Sequence, residues 1–239
     1  MNKQIDIGII GAMKIEVDAL KSAMTHTETR TIAGIDFVSG ELQGRRVVVA
    51  QCGIGKVFAA VCAQTMILTY APAVIINTGV AGTLTKKLSI GQVAVADRLV
   101  QHDMDTTALG DPAGLVSGIN VVYFPTDPAV TDCLCACVAE EGVVAVKGTV
   151  ASGDRFVSSA AVKAHITDTF ENCVACEMEG AAIAHVCYIN QTPCAILRAI
   201  SDGGDEEASD DYPTFCKKAA DTAIRVLMRF LTVWGDAER

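Results

Sequence analysis

The chain has 239 residues, half of them apolar, enough for one large domain or two small ones that bury about three quarters of the unfolded surface. Its net charge is −9 and its 19 Lys and Arg residues form no basic run, so the phosphate backbone of nucleic acid and an anionic membrane surface are poor partners. A small neutral or cationic ligand suits that balance, and part of the apolar excess is expected at a subunit interface.

The first segment, Ile5–Ile10, is a β-branched run and is expected as a buried central strand. Asp6 interrupts it and charges follow Gly11-Ala12-Met13, so it does not read as a signal peptide. No stretch approaches the roughly 18 uninterrupted apolar residues of a membrane span. The expected compartment is therefore the cytoplasm. Lys14–Met24 has helical spacing and places Glu16 in the first turn, near the carboxyl end of the strand. The segments Thr29–Ile32, Ile35–Leu42 and Arg45–Gln51, separated by Ala33-Gly34 and Gln43-Gly44, predict an antiparallel meander.

Gly53-Ile54-Gly55-Lys56 opens a helix running through Tyr70. It has neither P-loop spacing nor the third glycine of a dinucleotide turn, so its expected role is close backbone approach beside a pocket. Ala73–Asn77 is a second buried strand, ending in Thr78-Gly79-Val80-Ala81-Gly82, and Val93–Ala96 continues the sheet. The stretch 101–112 reads as a long excursion, the kind of loop that carries function in a compact domain. Tyr123–Phe124 precedes a helix from Pro128 to Glu141. Val143–Ser152 is a strand delivering Ser152-Gly153-Asp154-Arg155-Phe156-Val157, and a helix follows from Ala160 to Thr167.

Two carboxylates then stand out. Val174–Glu179 joins an apolar run to a helix of small residues, which places Glu179 at a helix N-terminus, held ionised by the dipole and free N–H groups. Cys194–Asp202 is an apolar run that releases Arg198, Ser201 and Asp202 at its end. Ligands collect at the carboxyl ends of strands in open α/β sheets, so two neighbouring strands delivering Glu179 and Asp202 to one edge is the strongest functional signal. A final amphipathic helix spans Pro213–Trp234. Strands and helices alternate throughout, which predicts an α/β fold: a three-layer αβα sandwich around a twisted, mostly parallel mixed sheet, in a single domain over residues 1–239. The ten cysteines sit mainly in apolar periodic segments and have no second pair or histidines at zinc spacing, so they are expected as reduced core thiols with no metal.

Taken together and in order, Gly11-Ala12-Met13 with Glu16, the Gly53–Lys56 turn, Asn77-Thr78-Gly79 with Ala81-Gly82, Ser152-Gly153-Asp154 with Phe156, Glu177-Met178-Glu179, and Arg198–Asp202 resemble the bacterial 5′-methylthioadenosine/S-adenosylhomocysteine nucleosidases of the nucleoside phosphorylase superfamily. The resemblance implies hydrolysis of the N-ribosidic bond of methylthioadenosine, S-adenosylhomocysteine and 5′-deoxyadenosine, without a cofactor. It also implies a role in methionine salvage and in recycling the by-products of S-adenosylmethionine. It assigns Asp202 as the acid that protonates the leaving adenine, with Ser201 orienting it, and Glu16 as the base for the attacking water, which Arg198 helps hold. Glu179 would accept the 2′ and 3′ hydroxyls of the ribose. Met13, Ile54, Val80, Phe156, Val157, Met178, Tyr212, Thr106 and Leu109 would bind substrate. Phe156 would stack on adenine, Val157 would read its edge through the backbone, and Met178 would pack on the sugar. The partner implied is a second copy of the chain, whose 103–112 loop closes the 5′ pocket.

The sequence departs from the family pattern at Val80, where many members have Ser, at Thr106 and Leu109 in the 5′ pocket, at Arg155, and at Tyr212 in place of Phe. Two rival readings each differ at a pair of positions. A phosphorolytic enzyme of the superfamily would carry an Arg and a Ser where this chain has Asn77 and Val80. A non-catalytic nucleoside-binding protein would have no need of Glu16 and Asp202 together.

Overall fold

The computed structural model describes residues 5–234. It begins with β1 (Ile7–Gly11) and α1 (Lys14–Ala23), followed by the meander β2 (Thr25–Ile32), β3 (Ile35–Leu42) and β4 (Arg45–Gln51). The two tight turns of the meander are as the sequence suggests. Ala33-Gly34 and Gln43-Gly44 all have positive φ, the backbone of a turn whose twist matches that of the flanking strands. Next come α2 (Lys56–Tyr70), β5 (Val74–Thr83), β6 (Val93–Gln101), β7 (Tyr123–Pro125), α3 (Pro128–Glu140), β8 (Ala145–Ser152) and α4 (Ala160–Thr169). The chain ends with β9 (Cys173–Glu177), α5 (Gly180–Asn190), β10 (Cys194–Asp202) and α6 (Ala208–Val233).

The strands form one sheet in the order β10-β6-β8-β9-β5-β1-β4-β3-β2. Because β10 also pairs with β5, the five strands β5, β10, β6, β8 and β9 close on themselves, and β1 to β4 extend from this ring. Parallel pairs join β1 to β4 and β5, β10 to β5, and β8 to β6 and β9. The other pairs are antiparallel, so the sheet is more evenly mixed than the sequence suggests. The buried faces of α2 and α5 form one apolar layer with the sheet, and those of α1, α3 and α6 form the other. This is the three-layer α/β arrangement expected from the alternation of elements.

Element boundaries differ from the sequence reading: β2 starts at Thr25 rather than Thr29, β6 runs on to Gln101 rather than stopping at Ala96, and β5 and α6 are also longer. β5 does not stop at Asn77 but runs, wholly buried, through Gly79 and Gly82. Glycine weakens an isolated strand, but here pairing with β10 holds the backbone extended. α6 starts at Ala208, before Pro213. Asp210 and Asp211 sit on its positive end, and Pro213 removes a single helical hydrogen bond. That extra turn carries Ser209 and Tyr212 to the site.

Candidate active site

The carboxyl ends of β1, β5, β9 and β10 surround a cavity of about 420 Å³, within the usual range for a small-molecule pocket. Its wall includes Met13, Glu16, Ile54, Val80, Phe156, Val157, Met178, Glu179, Arg198, Ser201, Asp202 and Tyr212. Ala12, Ala81, Gly82, Arg155, Cys176, Glu177 and Ser209 also line it.

Glu16 sits in the first turn of α1 and is buried. It folds back so that Oε2 accepts the N–H groups of Ala12 and Met13, both at 2.8 Å, while Oε1 accepts Val80 N–H at 3.1 Å. Burial raises its pKa, and Arg198 and these three backbone donors oppose the rise. Gly79 makes this packing possible. A Cβ at that position would lie 2.5 Å from both Glu16 Oε1 and Arg198 Nη1.

Arg198 is buried in the middle of β10. Its guanidinium donates to Glu177 Oε2, to Asn77 Oδ1 and, at 3.4 Å, to the Val80 carbonyl. Glu179 Oε2 lies 3.5 Å away. Asn77 uses its other end on the Ile10 carbonyl at 2.9 Å.

Glu179 departs from the expected picture. The donors at the start of α5 go to Glu177, which takes Glu179 N–H at 3.0 Å and Gly180 N–H at 2.8 Å, and to Ser152 Oγ, which takes Ala181 N–H at 2.7 Å. Ser152 in turn donates to Glu177. Glu177 thus caps the helix, and Glu179 is freed to face the cavity. A single backbone donor, Gly55 N–H at 2.8 Å, steadies its Oε1. Burial, opposed by Arg198 and aided by Glu177, pushes its pKa up to about 7.

Asp202 ends β10, and β5 lies between its strand and β9, so the two strands that carry the carboxylates are not paired with each other. Ser201 Oγ donates to Asp202 Oδ2 at 2.8 Å, as expected, and Gly204 N–H to Oδ1 at 3.0 Å. Burial raises its pKa against those two bonds, with Asp211 and Asp205 adding to the rise. Gly82 clears the space, since a Cβ there would lie 2.6 Å from Asp202 Oδ1. On the outer wall, Phe156 meets Tyr212 edge-on at 5.5 Å and the Tyr212 hydroxyl contacts Met13 Sδ at 3.0 Å.

Thr106 and Leu109 are not brought to this wall. Thr106 donates to Asp111 at 2.8 Å, and Leu109 is 83% exposed on the outer loop. The roles of Glu177, Asn77 and Ser152 were not anticipated. Of the two acids in Glu-Met-Glu, which one caps and which faces the cavity depends on how the chain turns after β9.

The raised carboxyls carry a signed consequence for stability. A carboxyl whose folded pKa exceeds its unfolded value stabilises the fold below the unfolded pKa, and that contribution is lost as pH rises through the folded value. Between about pH 4.5 and 7 the melting temperature of the free protein is therefore expected to fall as Glu179 loses its proton. Glu179→Gln should flatten that decline and raise the melting temperature at pH 8 by roughly 5 °C. A mutant that melts in parallel with wild type from pH 5 to 8 would contradict this.

Residues 6–232 match the family model of the phosphorylase superfamily. A 5′-methylthioadenosine/S-adenosylhomocysteine nucleosidase of Shewanella loihica is 38% identical over 94% of this chain and 98% of its own length. The Neisseria meningitidis nucleosidase of the same name, solved with methylthio-immucillin-A, superposes with a TM-score of 0.91 at 36% identity, covering 95% and 98% of the two chains. The futalosine hydrolase of Helicobacter pylori gives 0.90 at 34% identity, covering 95% and 97%. With the site geometry and this similarity in agreement over nearly its whole length, the chain belongs to the 5′-methylthioadenosine/S-adenosylhomocysteine nucleosidases of the phosphorylase superfamily.

Proposed function

We infer that the chain hydrolyses the N-ribosidic bond of 5′-methylthioadenosine and S-adenosylhomocysteine, releasing adenine, and that 5′-deoxyadenosine is a further substrate. The observation that carries the mechanism is one cavity holding two buried carboxyls of raised pKa, Asp202 and Glu16, with a third, Glu179, facing it from the end of β9.

Adenine is a poor leaving group as an anion and a good one once N7 is protonated. Asp202, its pKa raised by burial and its carboxyl oriented by Ser201, delivers that proton. As the bond to C1′ lengthens, positive charge builds on the ribose and water attacks it. Glu16, held by three backbone donors, takes the water's proton. The buried Nε–H of Arg198 has no partner among the described residues, which leaves a donor for that water. Ionised Glu179 accepts the two ribose hydroxyls, Met178 packs on the sugar, Phe156 stacks on the base, and Val157 reads the adenine edge through its backbone. Division of labour between an acid and a base carboxyl follows the logic of glycoside hydrolysis. The activity suits methionine salvage and the recycling of S-adenosylmethionine by-products.

The attacking group is water rather than phosphate. Both polar ends of Asn77 are engaged inside the protein, Val80 offers an apolar side chain, and the Arg198 guanidinium already serves Glu177 and Asn77. Turnover of methylthioadenosine is expected to yield free methylthioribose at the same rate with and without phosphate. Phosphate-stimulated release of a sugar phosphate would rule hydrolysis out.

We also propose that the working unit is a homodimer in the cytoplasm. Val57, Phe58, Leu68, Tyr188 and Ile189 of α2 and α5 are exposed apolar side chains, and the 103–112 loop carries exposed Leu109. In this reading Thr106 and Leu109 line the 5′ pocket of the partner. The ten unpaired thiols suit a reducing compartment, and no helix among the described residues is long and apolar enough to cross a membrane. Sedimentation at micromolar concentration should give a dimer. A fully active monomer would refute the arrangement.

A further inference from the structure

A second set of charged groups lies where three segments that build the cavity meet: the turn 53–56, the loop after β6, and the segment 152–157. Lys56 Nζ donates to Asp103 Oδ1 at 2.6 Å. Asp103 Oδ2 accepts Asp154 N–H at 2.9 Å, and Asp154 Oδ1 accepts Lys56 N–H at 2.7 Å. The three residues therefore form a closed circuit in which each bonds both others. Lys56 Nζ also reaches Gln101 Oε1 at 3.3 Å.

Two glycines allow this approach. Gly55, with φ of +98°, would place a Cβ 3.0 Å from Asp154 Oδ1, and Gly153 would place one 3.1 Å from Asp103 Cγ. The Lys56 and Asp103 side chains are 19% and 30% exposed. A largely buried ion pair is weak evidence for a stabilising role, so the circuit calls for another one. Its position supplies one. Residue 55 gives Glu179 its backbone donor, and residue 156 carries the ring at the cavity wall. Partial burial pushes the Asp103 carboxyl up, but Lys56 and the Asp154 N–H outweigh it and hold that carboxyl below its usual range.

We propose that Lys56, Asp103 and Asp154 are positioning residues for substrate capture: their circuit fixes the Gly55 N–H against Glu179 and the Phe156 segment against the base, and ties both to the 103–112 loop. The proposal rests on the nucleosidase reading above. Loop seating is thereby coupled to the sugar end and the base end of the cavity at once, without any of the three touching a reacting atom.

Lys56→Met, Asp103→Asn and the double variant, assayed with 5′-methylthioadenosine, test this. Each single variant should raise KM about tenfold with kcat within threefold and melting within a few degrees. The double variant should be no worse than the worse single one, because the circuit acts as a unit. A pH profile adds a readout that general loosening would not move. Glu179 faces Arg198 from β10, Glu177 from β9 and Glu16 from α1, with the Gly55 N–H as a further support for its ionised form. Slackening Gly55 should shift the acid limb of kcat/KM to higher pH. Multiplied losses in the double variant, an unmoved acid limb, or unchanged KM would overturn the clamp while leaving the nucleosidase reading intact. Absence of turnover by the wild-type chain would instead strike at that reading.

Discussion

Asp202→Asn is expected to lower kcat by at least ~10²- to 10⁴-fold while leaving the fold intact. The amide keeps the shape of the side chain and can still bond Ser201 and the Gly204 N–H. It cannot transfer a proton, so adenine would have to leave as an anion. Affinity for a ground-state ligand should change little, because the lost interaction belongs to the transition state. Melting should hold within a few degrees or rise, since burial already disfavours the charged carboxylate. If Asp202 only braced the 202–204 turn, the pattern would reverse, with near-normal turnover and a lower melting temperature. A kcat loss under tenfold, with chemistry shown to be rate-limiting, removes Asp202 from its role.

The largest effect on stability is expected at a residue with no direct part in the chemistry. Glu177 is buried, pairs with the buried guanidinium of Arg198, and takes two N–H groups at the start of α5. Glu177→Ala strips these three partners and Ser152 together. Breaking a buried ion pair from one side costs about 3–5 kcal/mol, and an emptied helix cap adds about 1 kcal/mol. For a chain of this length that corresponds to a melting temperature lower by roughly 10 °C or more. Activity should fall as well, because Arg198 would turn toward Glu179, 3.5 Å away, and pull it from the sugar position. Glu177→Gln retains an acceptor for the helix and Ser152 and should lose markedly less. Equal melting of Glu177→Ala and wild type would show that the cap is not a keystone.

The three carboxylates facing the cavity were legible in the sequence because each follows an apolar run that could only be a strand, and strand ends in such folds converge. The tight turns at residues 33–34 and 43–44 were legible for a local reason, the positive φ that their glycines invite. Less could be read where the outcome depends on pairing. β5 continues through two glycines because β10 lies beside it, which no local pattern reports. Likewise, Glu177 and Glu179 are chemically identical in sequence. Their opposite fates follow from the direction in which the backbone leaves β9, and from Ser152 and Arg198 arriving from 25 and 21 residues away. Thr106 and Leu109 came from resemblance alone, and one chain by itself does not bring them to its own cavity.

Gly79 and Gly82 have a consequence for how this catalyst can change. Gly82 lines the cavity as bare main chain, and a methyl group there or at Gly79 would press on Asp202 or on Glu16 and Arg198. A side chain added at either place displaces one of these site groups, so substitution there disturbs the chemistry before it can alter selectivity. The rim offers more freedom. Ile54 and Phe156 are each about half exposed, at 56% and 43%, and Arg155 beside them is exposed too. New substrates should accordingly be acquired by exchanging rim side chains over a floor that stays the same, and libraries built for altered selectivity belong at residues 54, 155, 156 and 212.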